Sequence, residues 1–418
     1  MAAQQLLQNQ KQEVLASFRN ELKEQWPLIL VVFIMQVFAF GFPTFALPFV
    51  YSGATEEFGW TRQQAVLLAS FKFYISAVAA LAVGRILDSV NPKWVVASSA
   101  ALGALAMAGF VLADKLSIYY GLGIALGLNA AGMAVAINVI VSRVFERTTG
   151  RILGIVLAGT SAAGMLLPLA FVPLMKMAGW RNAMAILSCC IWLVALPAWL
   201  LLSRKGSSVD RKLQEGSFSA ARTGMWDHFR ELAVTRDFWF IFIGAFLVSA
   251  VDQSVVQNQV LFLKSEKKLS LDVVGAGSAL LAGIGIAAKV FFGWVYDRLS
   301  IIGIVFCYLF LAASIGLAFT VTGVLTMFLF VMMVGIGHGG LIVNGPVLLK
   351  HRYGPRNLGL NMGIFTLCAS LGFGFGPPLM ARMADKSGSY SGAFALGIAA
   401  IAAAALLLYP VKPKFWSR

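Results

Sequence analysis

Gly84-Arg85-Ile86-Leu87-Asp88 closes the second apolar stretch of this chain, and Gly293-Trp294-Val295-Tyr296-Asp297-Arg298 closes the eighth. The two stand 209 residues apart (293 − 84 = 209), half the 418-residue length. Other landmarks keep the same offset: Gly150 and Gly154 answer to Gly359 and Gly363, Pro168 to Pro377, and Gly179 to Gly388. Independent landmarks sharing one offset mark a duplicated unit. Membrane proteins built from such repeats commonly hold a substrate between the copies.

The stretches around these landmarks are long enough to cross a bilayer. Hydrophobic residues make up 59% of the chain and charged residues 12%, about half the charge of an ordinary soluble domain. At roughly 20 residues per crossing, apolar segments near 27–51, 62–83, 94–113, 117–142, 150–176 and 182–203 give six spans. Those near 237–263, 271–295, 301–321, 323–349, 358–381 and 391–411 give six more. The expectation is an all-α membrane protein of twelve helices in two pseudo-symmetric six-helix bundles. Residues 1–26 read as a cytoplasmic amphipathic segment, 27–203 and 237–411 as the bundles, 204–236 as a cytoplasmic linker, and 412–418 as a cytoplasmic tail.

The net charge of +15 has an ordinary source. Lys11, Arg19, Lys23, Arg85, Lys93, Arg143, Arg147, Arg151, Arg298, Lys350, Arg352 and Arg356 all fall on one face, together with the linker. That bias predicts an inner-membrane protein with both termini cytoplasmic and leaves nucleic-acid binding without support. Cys189, Cys190, Cys307 and Cys368 have no metal-ligand spacing, and Gln12 to Gln25 reads as a surface helix rather than a cleaved leader. No metal, cofactor or enzymatic nucleophile–base pair is legible. The glycine runs 335–340 and 372–376 lack a preceding strand and any GxxxxGK[ST], so close helix packing explains them better than phosphate binding.

The closing motifs resemble those of the major facilitator superfamily, whose loop signature is roughly GxxxDRxGR. Here Ser89 stands where that family usually has Arg. Within the superfamily the chain is most similar to the monocarboxylate porters and their oxalate/formate-exchanger relatives. That likeness rests on Phe58-Gly59-Trp60-Thr61-Arg62, on Lys289-xxx-Gly293-xxx-Asp297-Arg298, and on Gly374-Phe375-Gly376-Pro377. The resemblance implies alternating access of a small organic carboxylate. It also implies that Gly84, Arg85, Asp88, Gly293, Asp297 and Arg298 form a cytoplasmic gate. Lys289 occupies a position where the group usually has a substrate-binding Arg; Gly285 stands where monocarboxylate porters often carry an Asp.

A charge within a span costs several kcal/mol, and three lie well away from span ends: Lys72, Asp252 and Lys289. Lys289 is expected to bind an anion or to act as a structural partner. Lys72 is expected to bind substrate or to pair with Asp252, and Asp252 to neutralise a lysine or to carry a proton. The sum of the three, +1, favours an anion. Tyr74, Gln257, Asn129 and His338 are candidate neighbours in the site, with helix packing the alternative for His338; Asn138 and Asn344 are ambiguous. The expected partners are a carboxylate, the bilayer and protons as a candidate coupling ion, for a monomer. An exporter of amphipathic compounds and a non-transporting membrane receptor stand as rival functions.

Overall fold

A computed structural model describes residues 25–87, 90–145, 149–204, 230–354 and 358–414. Asp88 and most of the N-terminal segment, the linker and the tail lie outside the described residues. Among the described residues ten continuous helical runs are long and apolar enough to cross a membrane. Eight are single crossings: α1 (Gln25–Phe58), α2 (Arg62–Leu87), α3 (Pro92–Leu112), α4 (Leu116–Val144), α7 (Arg236–Glu266), α10 (Val324–Tyr353), α11 (Leu358–Ser387) and α12 (Ser391–Leu408). The other two, Ile152–Leu202 and Leu271–Thr320, run 51 and 50 residues. At 1.5 Å per residue each is about 75 Å long, well beyond a bilayer of roughly 40–45 Å. Each breaks at a single residue outside helical geometry, Gly179 (φ 79°) and Ser300 (φ 50°). Residues 149–178 and 180–202 are therefore α5 and α6, and 271–299 and 301–320 are α8 and α9. This division of the described residues is consistent with the expected twelve helices.

Backbone geometry repeats with the sequence. Left-handed residues occur at Gly59 and Lys268 (59 + 209 = 268) and at Gly179 and Gly388 (179 + 209 = 388). Each sits where the chain leaves one span for the next, and the left-handed turn is what lets a helix end there. An even number of crossings brings both ends to one face, here the terminal face; the backbone N–H of Lys414 bonds to the His351 carbonyl there. The opposite face is the distal one.

The glycine runs bring helices together backbone to backbone. A Cβ on Gly335 or Gly339 of α10 would lie 2.6 Å from the carbonyl oxygen of Leu281 or Gly285 on α8. On Gly376 of α11 it would lie 2.1 Å from the Ala250 carbonyl of α7. Without a hydrophobic drive between helices in lipid, such close approach supplies the association.

The two halves meet at the distal face. Glu56 at the end of α1 takes the ammonium of Lys264 from α7, at 2.7 Å and 2.8 Å from its two oxygens. Lys176 of α5 pairs with Asp272 of α8. Asp385 of α11 caps α2, accepting from the backbone N–H groups of Arg62 (3.1 Å) and Gln63 (2.9 Å). The last two contacts are repeat images of one another, since 176 + 209 = 385 and 63 + 209 = 272. At the terminal face the matching glycines Gly84, Gly154, Gly293 and Gly363 have no neighbouring heavy atom within 4 Å of a Cβ position among the described residues. Among the described residues the halves are clasped distally, and these terminal glycines have open space beside them. An exposed ion pair contributes about 0.2–1 kcal/mol and a helix cap about 1 kcal/mol. Combining Glu56→Ala, Lys176→Ala and Asp385→Ala is therefore expected to shift the population toward a distally open form roughly 30-fold. Spin labels at the distal ends of α5 and α8 would report the longer distance; an unchanged distribution would show that these contacts do not hold the clasp.

Candidate functional site

Between the halves lies a cavity of about 410 Å³. Phe40, Thr44, Phe45 and Phe49 from α1, Phe73 from α2 and Thr160, Gly164 and Pro168 from α5 line its first-half side. The second half contributes Asp252, Gln253, Gln257 and Gln259 from α7, Ser278 and Ala282 from α8, His338 and Asn344 from α10, and Phe365 and Phe373 from α11. The wall is mostly apolar, with six phenylalanines among its lining and most of its polar groups on α7 and α10.

Asp252, 4% exposed, does not pair with Lys72. Its two carboxylate oxygens each lie 2.9 Å from Nδ1 of His338, and Gln253 Nε2 donates to one of them at 3.2 Å. The reason is placement: His338 faces Asp252 within the second half, whereas Lys72 is committed in the first. From Asp252 the hydrogen bonds continue along α7. Gln257 Nε2 donates to Gln253 Oε1 (3.3 Å), and the Tyr51 hydroxyl of α1 donates to Gln257 Oε1 (3.1 Å). One polar row thus joins α10, α7 and, across the halves, α1. Gln259 keeps its side-chain Oε1 buried without a hydrogen-bond partner among the described residues.

Lys72, 2% exposed, stands one layer behind the wall. Its Nζ donates to Thr44 Oγ1 at 2.8 Å and lies 5.5 Å from the Phe73 ring centroid, while the Thr44 hydroxyl donates to the Phe40 carbonyl. Lys289 reaches across the halves from α8 to donate to Ser161 Oγ of α5 at 2.5 Å. It lies seven residues beyond Ala282, about 10 Å nearer the terminal face. Among the described residues neither lysine has a carboxylate within 4 Å.

The remaining expected residues divide. Gln257 and His338 line the cavity; Asn129 and Tyr74 do not. The Asn129 amide donates to the carbonyls of Ala39 (3.1 Å) and Ser99 (2.8 Å), inside the first bundle where α1 widens into a π turn at Gln36–Gly41. The ring of Tyr74 packs on Gly374, joining α2 to α11. Arg85, Asp297 and Arg298 are exposed at the terminal face, with the Arg298 guanidinium 4.3 Å from the Trp294 ring centroid. Gln253, which the polar spacing of Asp252, Gln253, Gln257 and Asn258 pointed to, lines the cavity; Thr44, Ser161 and the phenylalanines of the wall were not anticipated. A hydroxyl or aromatic ring on an apolar helix carries no sequence signal that separates lining a cavity from facing lipid.

The model of the Major Facilitator Superfamily matches residues 28–331 and again 304–415. The chain is a transporter of that superfamily. It is 25% identical to monocarboxylate transporter 12 of Rattus norvegicus over 336 residues, covering 73% of this chain and 69% of the relative. Against monocarboxylate transporter 12 of Xenopus laevis the identity is 24%, over 70% and 69% of the two chains. Among solved structures, a bacterial homologue of the human lysosomal transporter Spinster, inward-facing and occupied, superposes with a TM-score of 0.72 at 17% identity. That match covers 91% of this chain and 94% of the other. The nucleoside transporter NupG superposes at 0.75 with 15% identity, over 92% and 99%. These likenesses carry the fold: two superfamily bundles around a central cavity.

Proposed function

We propose that this superfamily transporter moves a small organic carboxylate by alternating access, with Lys72 and Lys289 supplying the charge that attracts it and the Asp252–His338 pair taking up a coupling proton. The observation that carries this reading is the pair of lysines beside a central cavity, each held by a hydroxyl and, among the described residues, neither within 4 Å of a carboxylate. A buried ammonium without a counter-ion is costly, and an entering carboxylate would offset that cost in a low-dielectric surrounding where the attraction is strong. The weak similarity to monocarboxylate transporter 12 supports the same substrate class. On this reading the terminal face, with its excess of Lys and Arg, is cytoplasmic. The clasped distal face then makes this the state open to the cytoplasm, and Lys289 stands on the path from that side.

Uptake of labelled carboxylates into proteoliposomes tests the proposal. Saturable uptake of at least one acid above protein-free vesicles is expected. Uptake of none, from vesicles holding folded protein, would overturn it.

A further inference from the structure

Six phenylalanine side chains, Phe40, Phe45, Phe49, Phe73, Phe365 and Phe373, face the cavity. Four are engaged with other rings. Phe73 packs on Phe373 at 5.4 Å between centroids, Phe49 on Phe171 at 5.8 Å, and Phe365 on Phe242 at 6.2 Å. Phe40 and Phe45 are half-buried and have no ring partner among the described residues. Both are on α1, and both adjoin Thr44: Phe40 one helical turn before it, Phe45 the next residue. Thr44 lines the cavity and is the group on which the Lys72 ammonium rests. Gly164 of α5 lets this corner form, since a Cβ there would come within 3.0 Å of the Phe45 ring.

From this juxtaposition we infer that the transported acid is an aromatic monocarboxylate, its ring held by Phe40 and Phe45 and its carboxylate turned toward Thr44 and Lys72. The inference rests on the carboxylate reading above and narrows it. A two- or three-carbon acid has too little apolar surface to cover six rings; it would leave aromatic wall in contact with water and its own polar groups against apolar carbon. An aryl acid matches the wall at both ends. Its ring would meet the two rings that have no ring partner, since aromatic pairs attract, and its charge would meet the Lys72 ammonium, with Lys289 on the path of entry. A predominantly apolar wall with a few placed polar groups is also how cavities select ring-bearing ligands.

The test compares benzoate and phenylacetate with acetate, lactate and pyruvate in proteoliposomes holding the full chain, with uptake into protein-free vesicles subtracted. The aryl acids are expected to be transported with kcat/KM at least about tenfold above the aliphatic ones, the ratio that two ring contacts provide. Phe40→Leu and Phe45→Leu, which keep apolar bulk and lose the ring, are expected to raise the KM for phenylacetate roughly three- to tenfold each. Uptake of aliphatic acids equal to or better than aryl acids would overturn the inference and leave the carboxylate reading standing. Uptake of neither class would overturn both. Should a leucine variant fail to fold, the wild-type ratio still decides.

Discussion

Lys289→Ala and Lys72→Met are each expected to reduce carboxylate kcat/KM about 100-fold, while Ser161→Ala is expected to change it by about fivefold or less. The first figure follows from removing one member of a desolvated charge pair, which costs roughly 2–5 kcal/mol, against about 1 kcal/mol for an ordinary hydrogen bond. Ser161 separates two roles for Lys289. If the lysine served only to tie α8 to α5, then removing the hydroxyl it bonds at 2.5 Å would do nearly the same damage as removing the amine. If its charge meets the substrate, the two variants part by more than an order of magnitude. Lys289→Arg keeps the charge and adds a planar fork, so it should retain uptake within about tenfold of wild type. Initial-rate uptake over a concentration series gives all of these values. Uptake indifferent to both lysines would remove the anion site and turn weight to export of uncharged amphipathic compounds, for which the aromatic wall is equally suited.

The fold was legible because its evidence is local or strictly periodic. A run of about 20 apolar residues announces a crossing wherever it falls, and one offset of 209 joins Gly84 to Gly293 and Gly179 to Gly388. The structure extends that offset to features no residue type announces, such as the left-handed Lys268 answering to Gly59. The site was legible only in part. Lys72, Asp252 and Lys289 stand out because charge is rare in apolar helices, but their partners do not. His338 is 86 residues from Asp252 and Ser161 is 128 from Lys289, and only the packing of helices joins them. Charge complementarity offered Lys72 with Asp252 as one alternative, yet the two are committed to opposite halves. Asn129 and His338 illustrate the limit of the repeat. They share a repeat position, but the π turn in α1 draws the asparagine amide inward, while the histidine looks onto the cavity.

Neutralising the Asp252–His338 pair separates transport from its driving force. In Asp252→Asn and in His338→Gln, accumulation of substrate driven by an inward proton gradient should fall to the level of passive equilibration, a loss of tenfold or more. Exchange of labelled for unlabelled substrate at equal pH should stay within a few fold of wild type. On the proposed reading, the two assays part because of what the pair does. Nδ1 of His338 sits 2.9 Å from both oxygens of a 4%-exposed carboxylate, so a proton arriving there changes the charge of a desolvated pair by one unit. Its electrostatic effect is then far larger than it would be in water. The change reaches beyond the pair, because Asp252 is the end of the row through Gln253 and Gln257 to Tyr51 on the other half. Protonating Asp252 weakens its hold on Gln253 and biases that row, one of the contacts that joins α7 to α1. A ligand, here a proton, moves a two-state equilibrium only by its differential affinity for the two states. The row gives the proton that difference. Exchange needs the cavity to alternate only while loaded and draws on no gradient, so it survives. If Asp252→Asn abolishes exchange as well, the carboxylate belongs to substrate binding or to helix packing. If gradient-driven accumulation survives in both variants, coupling lies elsewhere in the chain.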